Sequence, residues 1–225
     1  MRENPQIAID GPAGVGKSTV GEGVARRLGY LYVDTGAMYR ALTWLALQRG
    51  IDLTDGPRLG QLARETSIEI TPPHIADGRQ YTVLVNGRDV TWDIRSPEVD
   101  QYVSQVSAHP EVRAVLVARQ QELANARSVV MVGRDIGTVV LPHADLKIYL
   151  TASAEERARR RLRELATRDP AAIPSFDALL ADIQRRDFID RRQMRPADDA
   201  VLVATDNLTA EQVIERILAE WYERT

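Results

Sequence analysis

The chain carries 225 residues, 44% of them hydrophobic and 27% charged, proportions that fit one globular domain with elaborations around a sizeable core. Its net charge of −3 supplies no global attraction to nucleic acid or to an anionic membrane. The lack of cysteine excludes disulfides and thiolate metal sites, the three histidines lie far apart in the chain, and no apolar run approaches the roughly 18 residues needed to span a bilayer.

Residues 1–5 lead directly into a short apolar segment without a signal-peptide core, so a cytoplasmic location is expected, with no nucleic-acid or membrane partner. Residues 6–10 read as a strand, followed by a glycine-rich turn and a helix over 17–28, with Gly29 at its C′ position. A second strand over 30–34 and a helix over 37–49, ended by Gly50, complete a strand–helix–strand–helix opening that predicts a parallel α/β core. Residues 67–71, 81–85 and 88–91 read as short strands joined by turn signals at Asp77-Gly78 and Asn86-Gly87. Strands so close together pair antiparallel, because a parallel crossover needs about a dozen residues. The core is therefore expected over about 1–63 and 109–225, with a small inserted subdomain over about 64–108. Ser96-Pro97 and Pro110 open helices. Core strands return at 129–132, 146–150 and 200–205, and Thr209 and Gln212 form a capping box for a last helix with one apolar face, Val213, Ile214, Ile217, Leu218 and Trp221.

Gly11-Pro12-Ala13-Gly14-Val15-Gly16-Lys17-Ser18, followed by Thr19, matches G-x-x-x-x-G-K-[ST] between a predicted strand and a predicted helix. Glycines allow the tight turn that exposes successive backbone N–H groups to phosphates, and the helix N-terminus behind them adds its dipole. This pattern predicts binding of a nucleoside triphosphate, with Lys17 reaching the β- and γ-phosphates and the Ser18 hydroxyl ligating Mg²⁺. The GTPase signature N-K-x-D is absent, and no acidic pair follows a second nucleotide strand, which counts against a switch protein or a motor. Of the 29 basic residues, only Lys17 and Lys147 are lysines.

The second strand runs into Asp34-Thr35-Gly36-Ala37-Met38-Tyr39-Arg40. Later come Ser104-Gln105-Val106, Val112-Arg113 and Gly133-Arg134-Asp135-Ile136-Gly137-Thr138. With Ile9-Asp10-Gly11-Pro12, these segments resemble the bacterial cytidylate kinase family, in order and at suitable spacing, over nearly the whole chain. The resemblance implies a P-loop NTPase-type parallel sheet flanked by helices, a small inserted antiparallel acceptor-binding subdomain and a short helical lid over about 155–185. It also implies phosphorylation of CMP and dCMP by ATP, and a monomer. By the same resemblance, Asp135 and Ser104 meet the cytosine amine and Arg113 donates to the ring, a division that suits the donors and acceptors of cytosine. Arg40 and Arg134, with the Thr35 hydroxyl, take the acceptor phosphate. Arg186 and Asp190 reach the acceptor ribose and phosphate, although their spacing also suits a helix salt bridge. Arg157, Arg160 and Arg161 share a helical face where the resemblance sets the lid, and are expected to stabilise charge on the γ-phosphate.

Two positions depart from the family pattern. Members usually carry an acidic residue where this chain has Val132, and Asp10 is the candidate to order a Mg²⁺-bound water in its place. The loop from Arg191 to Pro196 is short, with Gln193 where other members have arginine, and Arg192 or Arg195 is the candidate replacement.

Overall fold

The computed structural model describes residues 3–168, 173–191 and 194–224. Strand β1 (Gln6–Asp10) is wholly buried, as its run of Ile7, Ala8 and Ile9 requires of a strand covered on both faces. It feeds the glycine-rich turn and helix α1 (Lys17–Leu28), which Gly29 ends in the left-handed conformation with φ 69°. Strand β2 (Leu31–Asp34) follows.

By the density of its contacts the chain divides into two compact units: one runs up to Tyr32 and resumes at Arg127, and the other spans Val33 to Ala126. The first holds β6 (Val129–Gly133), a single π-helical turn at Ile136–Val140, β7 (Leu146–Thr151) and β8 (Val201–Ala204). Its helices beyond α1 are α6 (Ala154–Arg168), α7 (Phe176–Asp190) and α8 (Ala210–Tyr222). The five-stranded sheet is ordered β2-β6-β1-β7-β8, and the β1–β6, β1–β7 and β7–β8 pairs are all parallel. One core cluster joins Ile7, Ile9, Val130, Val132, Ile148 and Val203 of the strands to α1 and α8. The expected capping box is formed at Thr209 and Gln212, and Val213, Ile214, Ile217, Leu218 and Trp221 are the buried face of α8. Helices α6 and α7 pack on each other through Ala158, Leu179 and Ile183.

The second unit contains α2 (Thr35–Gln48), α3 (Gly56–Glu65), β3 (Ile68–Thr71), β4 (Thr82–Val85), β5 (Arg88–Asp89), a 3₁₀ turn at Asp93–Arg95, α4 (Pro97–Ala108) and α5 (Pro110–Ala126). Strands β3, β4 and β5 form an antiparallel sheet, turned between β4 and β5 by Asn86 and Gly87 with φ 50° and 78°. These strands lie inside the range 64–108 read as the insert, and the compact unit that contains them is wider. Helix α3 went unread in the sequence, where its two glycines suggest a loop. Asp55 caps it by accepting from Arg58 N at 2.9 Å, and Gly60 lets it approach α5 closely. Among the described residues, no helix is long and apolar enough to cross a membrane.

Helix α1 lies against the sheet at a point where no side chain fits. A Cβ on Gly21 would stand 2.5 Å from Val132 Cγ1 and 3.1 Å from Tyr32 Cε2. Val132, β-branched and 1% exposed, has no room to yield. Gly21→Val is expected to cost about 2 kcal/mol by overpacking, read as a fall in Tm of about 4–8 °C; an unchanged melting curve would contradict this close packing.

Candidate active site

The parallel register sets Asp10 beside Gly133, so the phosphate loop after β1 and the Gly-Arg-Asp segment after β6 leave the same C-terminal edge of the sheet. That edge is where open parallel sheets bind ligands. The loop turns on glycines at positive φ, with Gly11 at 148°, Gly14 at 74° and Gly16 at 101°. At Gly11 a Cβ would also collide with Leu150 O at 2.4 Å, so only glycine serves there. Lys17 curls back over the loop, and its Nζ donates to Gly11 O and Pro12 O, both at 2.7 Å. Ser18 lies half-buried in the first turn of α1.

The outward carbonyls of this loop are met by arginines. Arg134 Nη1 donates to Gly11 O at 3.2 Å, Arg157 Nη1 to Ala13 O at 3.1 Å and Arg160 Nη1 to Val15 O at 3.1 Å. Arg157 is 4% exposed and forms a two-bond fork with Asp187, at 3.0 and 2.6 Å, the geometry that suits guanidinium and carboxylate. Arg160 also donates to Thr205 Oγ1 at 3.0 Å and to Glu156 Oε1 at 3.1 Å. Arg161, expected beside them, donates to Glu164 Oε1 at 2.8 Å on the exposed side of α6.

Asp10 is 3% exposed. Its two carboxylate oxygens accept from Ile136 N and Gly137 N, each at 2.7 Å, at the start of the π-helical turn. Burial pushes its pKa up to about 6, against the pull of those two amides. A carboxylate enclosed and engaged in this way is a poor candidate for ordering a metal-bound water. Val132 takes no polar role either, since its side chain is part of the core under α1.

Arg134 pairs with Asp190, through Nε at 3.0 Å and Nη2 at 2.8 Å. Arg186 pairs with Asp182 at 2.9 Å, one turn before it on α7. The i,i+4 spacing of Arg186 and Asp190 thus leads toward two different partners. Asp135 is buried between β6 and the π-helical turn, and its carbonyl accepts from Val139 N at 2.9 Å. Gln193 and Arg192 lie outside the described residues. Lys147, the other lysine, is buried and structural in its contacts: Nζ donates to Pro142 O at 2.6 Å and to Asp199 Oδ1 at 2.9 Å.

The remaining expected residues belong to the second unit. Thr35 is buried at the start of α2, and Tyr39 is a core residue of that helix. Arg40 pairs with Asp100 at 2.5 Å and donates to Ile94 O at 3.3 Å. Ser104 is buried on α4, and Arg113 is half-buried on α5 with its amide donating to His109 O at 3.0 Å. Sequence reasoning missed a polar chain close to Arg40. Arg95 Nη2 donates to the Tyr81 hydroxyl at 3.3 Å, and that hydroxyl donates to Asp34 Oδ2 at 3.0 Å. Burial raises the Tyr81 hydroxyl well above the usual tyrosine range. No motif marks Tyr81 or Arg95; Asp34 was visible only as the first residue of its motif. Asp187 and Thr205, which hold Arg157 and Arg160, were equally silent.

Among the described residues, no three histidine or carboxylate side chains gather to hold a metal ion. A single hydroxyl beside a phosphate loop suits Mg²⁺ that arrives on nucleotide phosphates and keeps several waters, rather than an ion caged by the protein.

The structural likeness to known kinases is one of fold. A shikimate kinase from Bacteroides thetaiotaomicron superposes with a TM-score of 0.52 at 15% identity, covering 97% of this chain and 98% of the other. Sequence likeness is much closer. A cytidylate kinase of Roseiflexus castenholzii is 51% identical over 97% of this chain and 94% of its own length. A cytidylate kinase of Geobacillus kaustophilus is 50% identical over 100% of this chain and 99% of its own. The cytidylate kinase family model matches residues 7–223, and the chain belongs to that family.

Proposed function

We infer that this protein transfers the γ-phosphoryl group of ATP to the 5′-phosphate of CMP, giving ADP and CDP, with dCMP a second acceptor and UMP a poor one. The observation that carries this reading is the 51% identity to a cytidylate kinase over almost the whole chain. The phosphate loop and the Gly-Arg-Asp segment on one sheet edge support it. The attacking group is a phosphate oxygen already ionised near neutral pH, so the reaction needs positioning and charge stabilisation rather than a general base.

The donor lies along Gly11 to Thr19. Lys17 exchanges its two carbonyl partners for the β- and γ-phosphates, which offer a full charge instead of a dipole. The Ser18 hydroxyl would hold Mg²⁺ that arrives with ATP, and the ion would supply positive charge to offset that of the transferring group. Arg157, Arg160 and Arg161 act as the lid cations. Arg157 and Arg160 also brace the loop, and for Arg157 to meet the γ-phosphate its fork with Asp187 has to open. Arg40, Arg134 and Thr35 hold the acceptor phosphate, so Arg40 shares or exchanges Asp100. Arg186 and Asp190 hold the acceptor ribose and phosphate. Ser104, Arg113 and Asp135 read the cytosine, and uracil sets an acceptor against Asp135, leaving buried polar groups unmatched. The enzyme is taken to work as a cytoplasmic monomer.

An ADP-release assay over CMP, dCMP, UMP, AMP, GMP and dTMP tests the reading. CMP is expected to exceed UMP by at least about tenfold in kcat/KM; no stimulation by any monophosphate would sink it. Lys17→Ala is expected to lower kcat by about 10²-fold or more without changing the fold, and near-normal turnover would remove Lys17 from the chemistry. Arg113→Met should raise KM for CMP far more than KM for ATP, whereas equal changes in both would contradict its role in base recognition.

A further inference from the structure

Asp10 stands apart from the side chains that meet the substrates. It ends β1, one residue before the phosphate loop, and both of its oxygens are spent on the turn that follows Arg134 and Asp135. That turn is a lone π-helical one at Ile136–Val140, a geometry seldom kept without a local constraint and frequent at functional sites. Gly137 leaves little room beside the carboxylate it donates to: a Cβ there would lie 3.2 Å from Asp10 Oδ2 and 3.2 Å from Lys147 Cδ. The same segment is tied a second time, because Arg134 Nη1 reaches Gly11 O, the carbonyl that also accepts from Lys17 Nζ. Two links therefore join the loop proposed to hold the donor to the segment proposed to read the acceptor, and one of them is a buried carboxylate.

We propose that Asp10 is a positioning residue for the acceptor: by gripping the amides of Ile136 and Gly137, it sets the direction in which Arg134 and Asp135 leave β6 toward the monophosphate. The inference rests on the reading above that Arg134 and Asp135 meet CMP. An anion suits this work better than a neutral group of the same shape, because two converging N–H donors need two acceptor oxygens. Replacement by asparagine keeps one acceptor and turns an N–H₂ group toward the other donor. The amide of Ile136 or Gly137 then loses its partner, the turn swings, and Asp135 is displaced from its hydrogen-bonding position. Misplacement of a positioned group by an ångström costs rate and affinity out of proportion to the distance.

The test is steady-state kinetics of Asp10→Asn in the full chain. KM for CMP is expected to rise by about tenfold or more, with KM for ATP within about twofold and the preference for CMP over UMP reduced. If both KM values move together, or if kcat alone falls with the CMP preference intact, Asp10 only supports the fold and the proposal is overturned. Should Asp10→Asn not fold, Gly137→Ala crowds the same carboxylate oxygen with a methyl group. It is expected to raise KM for CMP by about threefold while sparing KM for ATP, and a folded Gly137→Ala enzyme with both KM values unchanged overturns the proposal equally. Failure of the parent reading is distinguishable, because it appears in the unsubstituted enzyme as equal rates with CMP and UMP.

Discussion

The constraint on which the rest depends is the parallel pairing of β1 with β6 in a register that sets Asp10 against Gly133. Parallel strands end on the same side of the sheet, so the two segments richest in chemistry emerge as neighbours although more than a hundred residues separate them. A slip of one residue would turn Val130 and Val132 away from α1. It would also break the two amide bonds to Asp10, since those depend on where β6 stops. The hydrophobic pattern of two five-residue strands thus decides which backbone groups face the phosphate loop.

Around that register the loop is built as an oriented set of dipoles. The carbonyls of Gly11, Ala13 and Val15 are each taken by a guanidinium. Capping the carbonyls fixes the peptide planes before any ligand arrives, so less ordering remains to be done on binding. Arginine is better suited to this than lysine, because one planar fork can hold a carbonyl and a carboxylate at once, as Arg157 does with Ala13 and Asp187.

Much of this was legible in the sequence. The phosphate loop is a local pattern, and its strand and helix are equally local, so Gln6–Asp10 and Lys17–Leu28 were read at their observed bounds. The capping box and apolar face of α8 were readable for the same reason. Helix α3 was hidden because its glycines serve packing on α5, a reason visible only in three dimensions. The ion pairs were hidden more deeply. Helical spacing offers Arg186 two partners, Asp182 and Asp190; the structure sets Asp182 against Arg186, and tertiary placement gives Asp190 to Arg134. Nor could any pattern assign Asp187 to Arg157, because the partners lie on different helices, 30 positions apart. Sequence identifies the charged groups, and the fold decides which of them meet.

The small size of the fully buried core between α6 and α7 bears on time as well as on shape. The buried core of that pair comprises Ala158, Leu179 and Ile183, and one of those is an alanine. The central sheet, by contrast, packs a broad row of branched side chains on one face against α1 and α8. Local opening costs least where the least apolar surface is buried. The backbone amides of α6 and α7 are therefore expected to exchange with solvent through smaller openings than those of β1 and β6. Arg157 and Arg160, which meet the carbonyls of the phosphate loop, ride on the pair with the smaller buried core.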